Sequence, residues 1–165
     1  MNRVTADAPE GTVLFIVGMR INQLWAIHRW LPVASAMPRM LTELDKHREL
    51  GMVGTPRTLV SGRLIVVQQY WQSYDALEGY ARNTDHKHLA AWRAFNTAAR
   101  DNDAVGIFHE TYLIGPGTHE SIYVNVPRPI LLADAVGQSD IASGRRTSRQ
   151  RLKDVASAAA APSQS

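Results

Sequence analysis

The spacing of apolar residues along this chain changes period several times, and each change marks an element. Thr12–Met19 is a short run rich in β-branched and aromatic residues behind Gly11, which predicts a strand. From Gln23 to Leu50, Trp25, Trp30, Val33, Met37, Met40, Leu41 and Leu44 recur near helical spacing. Pro32 and Pro38 interrupt that stretch, which predicts two helices, one over Leu24–Trp30 and one over Pro38–Glu49, with Gly51 as the stop. Met52–Val60 and Arg63–Trp71 are two strand-like runs joined at Ser61-Gly62, as in a tight hairpin. In the second run Arg63, Ile65, Val67, Gln69 and Trp71 share one face and Leu64, Val66, Gln68 and Tyr70 the other. Both faces are largely apolar, so both are expected to be covered.

Ser73, with Asp75 behind it, has the composition of a helix start and predicts a short helix to about Arg82. A second helix is expected over His86–Asp101, carrying a stripe of Leu89, Trp92, Ala94 and Phe95. Val105–Ile114 predicts another strand, and Thr118–Asn125 a short extra one. Pro127, Arg128 and Pro129 then end regular structure. The order β-α-β-β-α-β predicts an α+β, ferredoxin-like domain: an antiparallel sheet with helices on one face. Its second face then needs a cover, and a second copy of the same sheet is the simplest one, giving a homodimer of dimeric α/β-barrel type. The expected organisation is a flexible N-terminus (1–11), one domain (12–127), an extended segment (128–137) and a disordered basic tail (138–165).

Composition narrows the chemistry. The chain has 165 residues, 45% of them hydrophobic, which suits one domain with a real core. Having no cysteine, it has no disulfide, thiolate metal site or cysteine nucleophile. No apolar run is long enough to span a membrane, and residues 1–11 lack the pattern of a signal peptide, so a cytoplasmic location is expected by default. The net charge of +3 resides in 138–165, with five basic residues against two acidic. A neutral body with a basic tail argues against nucleic acid as partner, which favours a basic face on the fold itself. Gly115-Pro-Gly117 is a turn and not a dinucleotide fingerprint, so neither flavin nor nicotinamide has a motif here. His86 and His88, two apart, diverge on a helix, and no metal site is expected.

Several stretches carry a family resemblance. Val67–Phe95 combines a strand ending in tryptophan, a Ser-x-Asp turn, a short helix and a histidine-bearing helix. Gly18–Trp25 (GMRINQLW), Ala36–Leu41 (AMPRML), His88–Asn96 (HLAAWRAFN) and Gly106–Tyr112 (GIFHETY) add to it. Across about residues 12–127 the chain resembles the dimeric α/β-barrel superfamily of antibiotic-biosynthesis and haem-degrading monooxygenases. It is most similar to a monooxygenase-like branch linked to secondary metabolism. The resemblance implies oxygen insertion without flavin into a small apolar substrate, aromatic or terpenoid, in a pocket between sheet and helices. Haem degraders of this superfamily hold their axial histidine late in the second helical region; Trp92 falls near that position here, and His88 lies one turn earlier. The cofactor expectation is therefore none, or haem. Two alternatives remain: a haem-binding protein of the same fold, for haem degradation or haem-dependent dehydration, and a non-catalytic ligand-binding dimer.

The candidate catalytic residues are His109 and His88, and either would be the axial ligand if haem is bound. His109 stands mid-strand in an apolar row with Val105, Ile107, Thr111 and Leu113 and could serve as base or proton relay; the bland alternative is a buried histidine held by a backbone carbonyl. Glu110, its neighbour, points to the other face. His88, one turn before Trp92, could share a cavity with it or could be a solvated helix-end residue. The expected substrate contacts are Trp71, Gln69, Trp92, Arg20, Trp25, Tyr112 and Phe95. Arg20 could grip an anionic group through its planar fork, or pair with Glu110 or Glu43.

Overall fold

The computed structural model describes residues 3–82, 97, 100–141, 143 and 145–152. Its main sheet has four antiparallel strands: β2 (Thr12–Ile21), β3 (Met52–Ser61), β4 (Leu64–Trp71) and β5 (Val105–Ile114). They lie in the order β3-β4-β2-β5. With α1 (Ile27–Lys46) after β2 and α2 (Tyr74–Arg82) after β4, this is the ferredoxin-like βαββαβ arrangement. The strand expected over Val105–Ile114 is found with those bounds. Most of the helix expected over His86–Asp101 lies outside the described residues.

The two helices expected between Leu24 and Glu49 are one. Helix α1 runs for 20 residues with Pro32 and Pro38 inside it. Each proline deletes one backbone hydrogen bond and crowds the preceding turn, at about 3 kcal/mol or more. Packing outweighs that cost. Val33, Met37, Met40 and Leu44 recur at steps of four, three and four, and all are buried. Burying such a side chain stabilises by about 1.5–3 kcal/mol. Val33, Met37 and Met40 join Val17, Met19, Ile21, Val67 and Val105 in the core between α1 and the sheet. Helix α2 begins as expected: the Ser73 hydroxyl accepts the Ala76 amide at 3.1 Å.

The sheet's other face is covered at one end by the chain itself. A second sheet pairs β1 (Arg3–Thr5) with β6 (Tyr123–Val124) and β7 (Ser139–Asp140), and the short helix α3 (Leu132–Val136) packs nearby. Ala6, Ala8, Leu132 and Ala133 pack on Tyr70, with Leu14, Val53 and Ile114 around them. The ladder between β3 and β4 shifts register from Val53 to Arg57, and the Thr55 amide of that bulge donates to Asp134 at 2.7 Å. A second copy is thus not needed at this end. The rest of the face, with Leu59 at 58% and Tyr112 at 47% exposure, is open.

Gly18 sits at the middle of that open face. A Cβ there would lie 2.5 Å from the Phe108 ring and 2.6 Å from the Ile65 carbonyl oxygen. Since the second neighbour is backbone, Gly18→Ala is expected to destabilise by about 1–3 kcal/mol, read as a lower denaturant midpoint with unchanged slope.

The described part of the basic extension is attached to the domain, which its composition does not announce. Arg145 donates to both carboxylate oxygens of Asp7, at 2.9 and 2.8 Å. Arg151, 5% exposed, bonds Glu120 and the carbonyls of Arg145 and Arg146. The Arg145 hydrogen bonds hold the Asp7 carboxyl below its ordinary value of 3.8. A lowered folded value means that this contact contributes above the unfolded pKa and is lost as pH falls through the folded one. Amide exchange at 139–140 should therefore quicken below about pH 4, and Arg145→Ala should abolish that acid step.

Candidate functional site

Strand alternation aims one row of each strand at the helices. On β2 this row is Val13, Phe15 and Val17; on β4 it is Trp71, Gln69 and Val67; on β5 it is Leu113, Thr111 and His109. The register sets Phe15 opposite both Gln69 and Thr111, and Val17 opposite His109. Helix α2 lies over this patch. Between them is a pocket of about 260 Å3, lined by Phe15, His109 and Thr111 from the sheet and by Tyr74, Leu77, Glu78, Ala81 and Arg82 from α2. The imidazole of His109 stands 5.9 Å from the Phe15 ring, tilted by 39°. At the rim, Glu78 and Arg82 pair at 2.8 Å, one helical turn apart.

Below the pocket is a smaller chamber of about 30 Å3, lined by Phe15, Val17, Met40, Gln69, Leu77, Tyr80 and Ala81. Trp71, with no exposed surface, closes the neighbouring core. Its indole N–H donates to Gln69 Oε1 at 3.0 Å, and its ring lies 5.3 Å from that of Tyr80. The Tyr80 hydroxyl is buried and has no hydrogen-bond partner among the described residues. Burial, with a lesser push from the Glu43 carboxylate, raises the phenol well above its ordinary value of 10.0. Tyr80 is therefore a neutral hydroxyl at physiological pH, able to donate.

The candidate residues separate into three groups. His109 lines the pocket and Gln69 the chamber, while Trp71 stands behind them. His109 is exposed rather than buried in an apolar row, because the pocket opens to solvent beside it. Arg20 and Tyr112 lie on the opposite face. Arg20 donates to Asn22 Oδ1 at 2.7 Å, not to Glu110 or Glu43, and Tyr112 donates to Glu110 at 2.6 Å. Trp25 is 77% exposed in the turn before α1. These three do not meet the pocket. His88, Trp92 and Phe95 lie outside the described residues. Phe15, Leu77, Tyr80 and Thr111 are pocket or chamber walls that the sequence reading did not select; strand parity marks Phe15 and Thr111, but nothing local marks Tyr80.

A family model matches residues 12–132, most of the chain and all of the main sheet. The chain belongs to the monooxygenase af470-like family. Monooxygenase af470 of Aspergillus fumigatus is 28% identical over 151 residues, covering 79% of this chain and 52% of that protein. This member of the family thus spans about half the length of the curated relative it matches. Among solved structures, an aldoxime dehydratase bound to butyraldoxime superposes with a TM-score of 0.65 at 20% identity, covering 82% of this chain and 40% of that one. SnoaB, a cofactor-independent oxygenase from Streptomyces nogalater, superposes with a TM-score of 0.44 at 14% identity, covering 63% and 93%. No helix among the described residues is long and apolar enough to cross a membrane.

Proposed function

We propose that this af470-like protein is a flavin-independent monooxygenase, and that it oxidises an apolar aromatic carbon acid in the pocket between the sheet and α2. The observation that carries this reading is His109 projecting from β5 into a pocket walled mainly by Phe15, Leu77, Ala81 and Tyr74. Family membership supports the reaction class. The His109 imidazole, in contact with the substrate, accepts a proton from an activated carbon. The seated ring keeps water from that carbon, and the apolar walls leave the carbanion unsolvated and electron-rich. Two electrons then pass from the substrate carbon to dioxygen as a carbon–oxygen bond forms. Protonation of the peroxide and loss of water leave a carbonyl: one oxygen atom enters the product and the other leaves as water. The substrate supplies every electron, so no external reductant is needed.

Haem fits the described residues less well. His109 is the histidine that lines this pocket, but Phe15 stands against its ring. The volume of about 260 Å3 also lies below the roughly 300–1,000 Å3 of pockets that hold drug-sized ligands. Titration with haem should therefore give no shifted Soret band.

The open half of the outer sheet face supports a homodimer. Ile16, Val66 and Phe108 are half-buried beside exposed Leu59 and Tyr112, and an apolar patch of this kind on a sheet face marks an interaction site. Light scattering should give twice the chain mass, and Leu59→Glu should halve it.

The reaction is tested with anthrone, an aromatic ketone whose benzylic carbon gives a stabilised carbanion, under labelled dioxygen. One labelled oxygen atom should enter each anthraquinone at a rate proportional to protein. A rate equal to that without protein would refute the proposal.

A further inference from the structure

The small chamber beneath the pocket has no role in the proton chemistry of His109. We infer that it is a binding site for dioxygen, placed to feed the substrate pocket above it. This rests on the oxygenase reading for its purpose, but not for the binding itself.

A cavity needs about 10–15 Å3 to hold a water-sized molecule, and the chamber offers about 30 Å3. It admits a diatomic molecule and excludes an aromatic ring. Polarity comes next. Val17, Met40 and Leu77 are almost wholly buried and supply apolar walls. Gln69 has its carbonyl oxygen already engaged by Trp71. The Tyr80 hydroxyl, buried and without a partner among the described residues, exposes no surface to the chamber, so the lining is apolar. A buried water needs two to four polar partners, and apolar cavities of this kind stay dry and take up apolar gases. Dioxygen, small and apolar, meets both conditions.

Phe15, Leu77 and Ala81 line both the chamber and the pocket. A molecule in the chamber is therefore separated from a seated substrate by one layer of side chains. When the substrate carbanion passes one electron to dioxygen, the carbon becomes a radical and the gas becomes superoxide. The two radicals then combine to form the carbon–oxygen bond.

Dioxygen is paramagnetic, so its residence is read directly from methyl relaxation in the full chain under oxygen pressure. The methyl signals of Val17, Met40 and Leu77 should relax faster, saturably with pressure, and the effect should fall at least fivefold in Val17→Ile, which fills the chamber by one methylene. In the anthrone assay, Val17→Ile should raise KM for dioxygen at least fivefold and leave KM for anthrone unchanged. Relaxation that grows linearly with pressure and equally at surface methyls would overturn the site, as would a Val17→Ile protein with unaltered oxygen relaxation. Saturable relaxation without labelled anthraquinone would instead sink the oxygenase reading and leave the gas site standing.

Discussion

His109→Ala is expected to lower kcat for anthrone oxidation by about 10²–10⁴-fold, the range that a positioned acid–base group contributes. The loss should fall on kcat more than on KM, because Phe15, Leu77 and Tyr74 still hold the ring. Stability should change by no more than about 0.5 kcal/mol, since the side chain is exposed. Steady-state kinetics beside a denaturant curve separates these quantities. A variant with full activity would remove His109 from the chemistry. A variant that unfolds would show that its role is packing.

Trp71→Ala should have the largest effect on stability, about 3–5 kcal/mol. Trp71 has no exposed surface and packs with Val13, Leu44, Met52 and Leu77, so it joins β2, α1, β3 and α2 through one side chain. Truncation leaves a cavity and also strips Gln69 Oε1 of its donor. Trp71→Phe separates the two contributions. It keeps most of the packing but orphans the buried amide oxygen, at about 1–3 kcal/mol. Urea unfolding should order the proteins wild type, Trp71→Phe, Trp71→Ala. If Trp71→Ala cost no more than a surface substitution, the picture of a core centred on this residue would fail.

The sheet was legible in the sequence because period two is unambiguous where β-branched residues run together. Val105–Ile114 and the rows on Leu64–Trp71 needed no tertiary information. Helix α1 was misread as two because proline acts locally, whereas Val33, Met37, Met40 and Leu44 decide the outcome through contacts with strands distant in sequence. The cover on the outer face was missed for a similar reason. Only β6 lies in a stretch expected as a strand, Thr118–Asn125; β1 and β7, of three and two residues, have no period to read, and Thr5, Ser121 and His119 tie this cover together across more than 110 positions.

The site was half legible. His109, Gln69 and Trp71 announce themselves as polar or aromatic residues on the helix-facing rows of their strands. Trp25, Arg20 and Tyr112 drew notice by residue type, but parity or the loop before α1 sends them elsewhere. Tyr80 shows no signal in sequence. Its importance comes from a hydroxyl left without a partner, which exists only once α2 is laid against Trp71.

The central claim is that the space between Phe15, His109 and α2 receives the aromatic substrate. The most direct measurement is the imidazole resonance of His109 during titration with anthraquinone, the unreactive product of the assay. The account expects the His109 signal and the Phe15 and Leu77 signals to move together and saturate, while those of His47 and His119 stay fixed. Saturable shifts confined to the surface groove of Glu10, Leu113 and Pro116, with His109 unmoved, would contradict it.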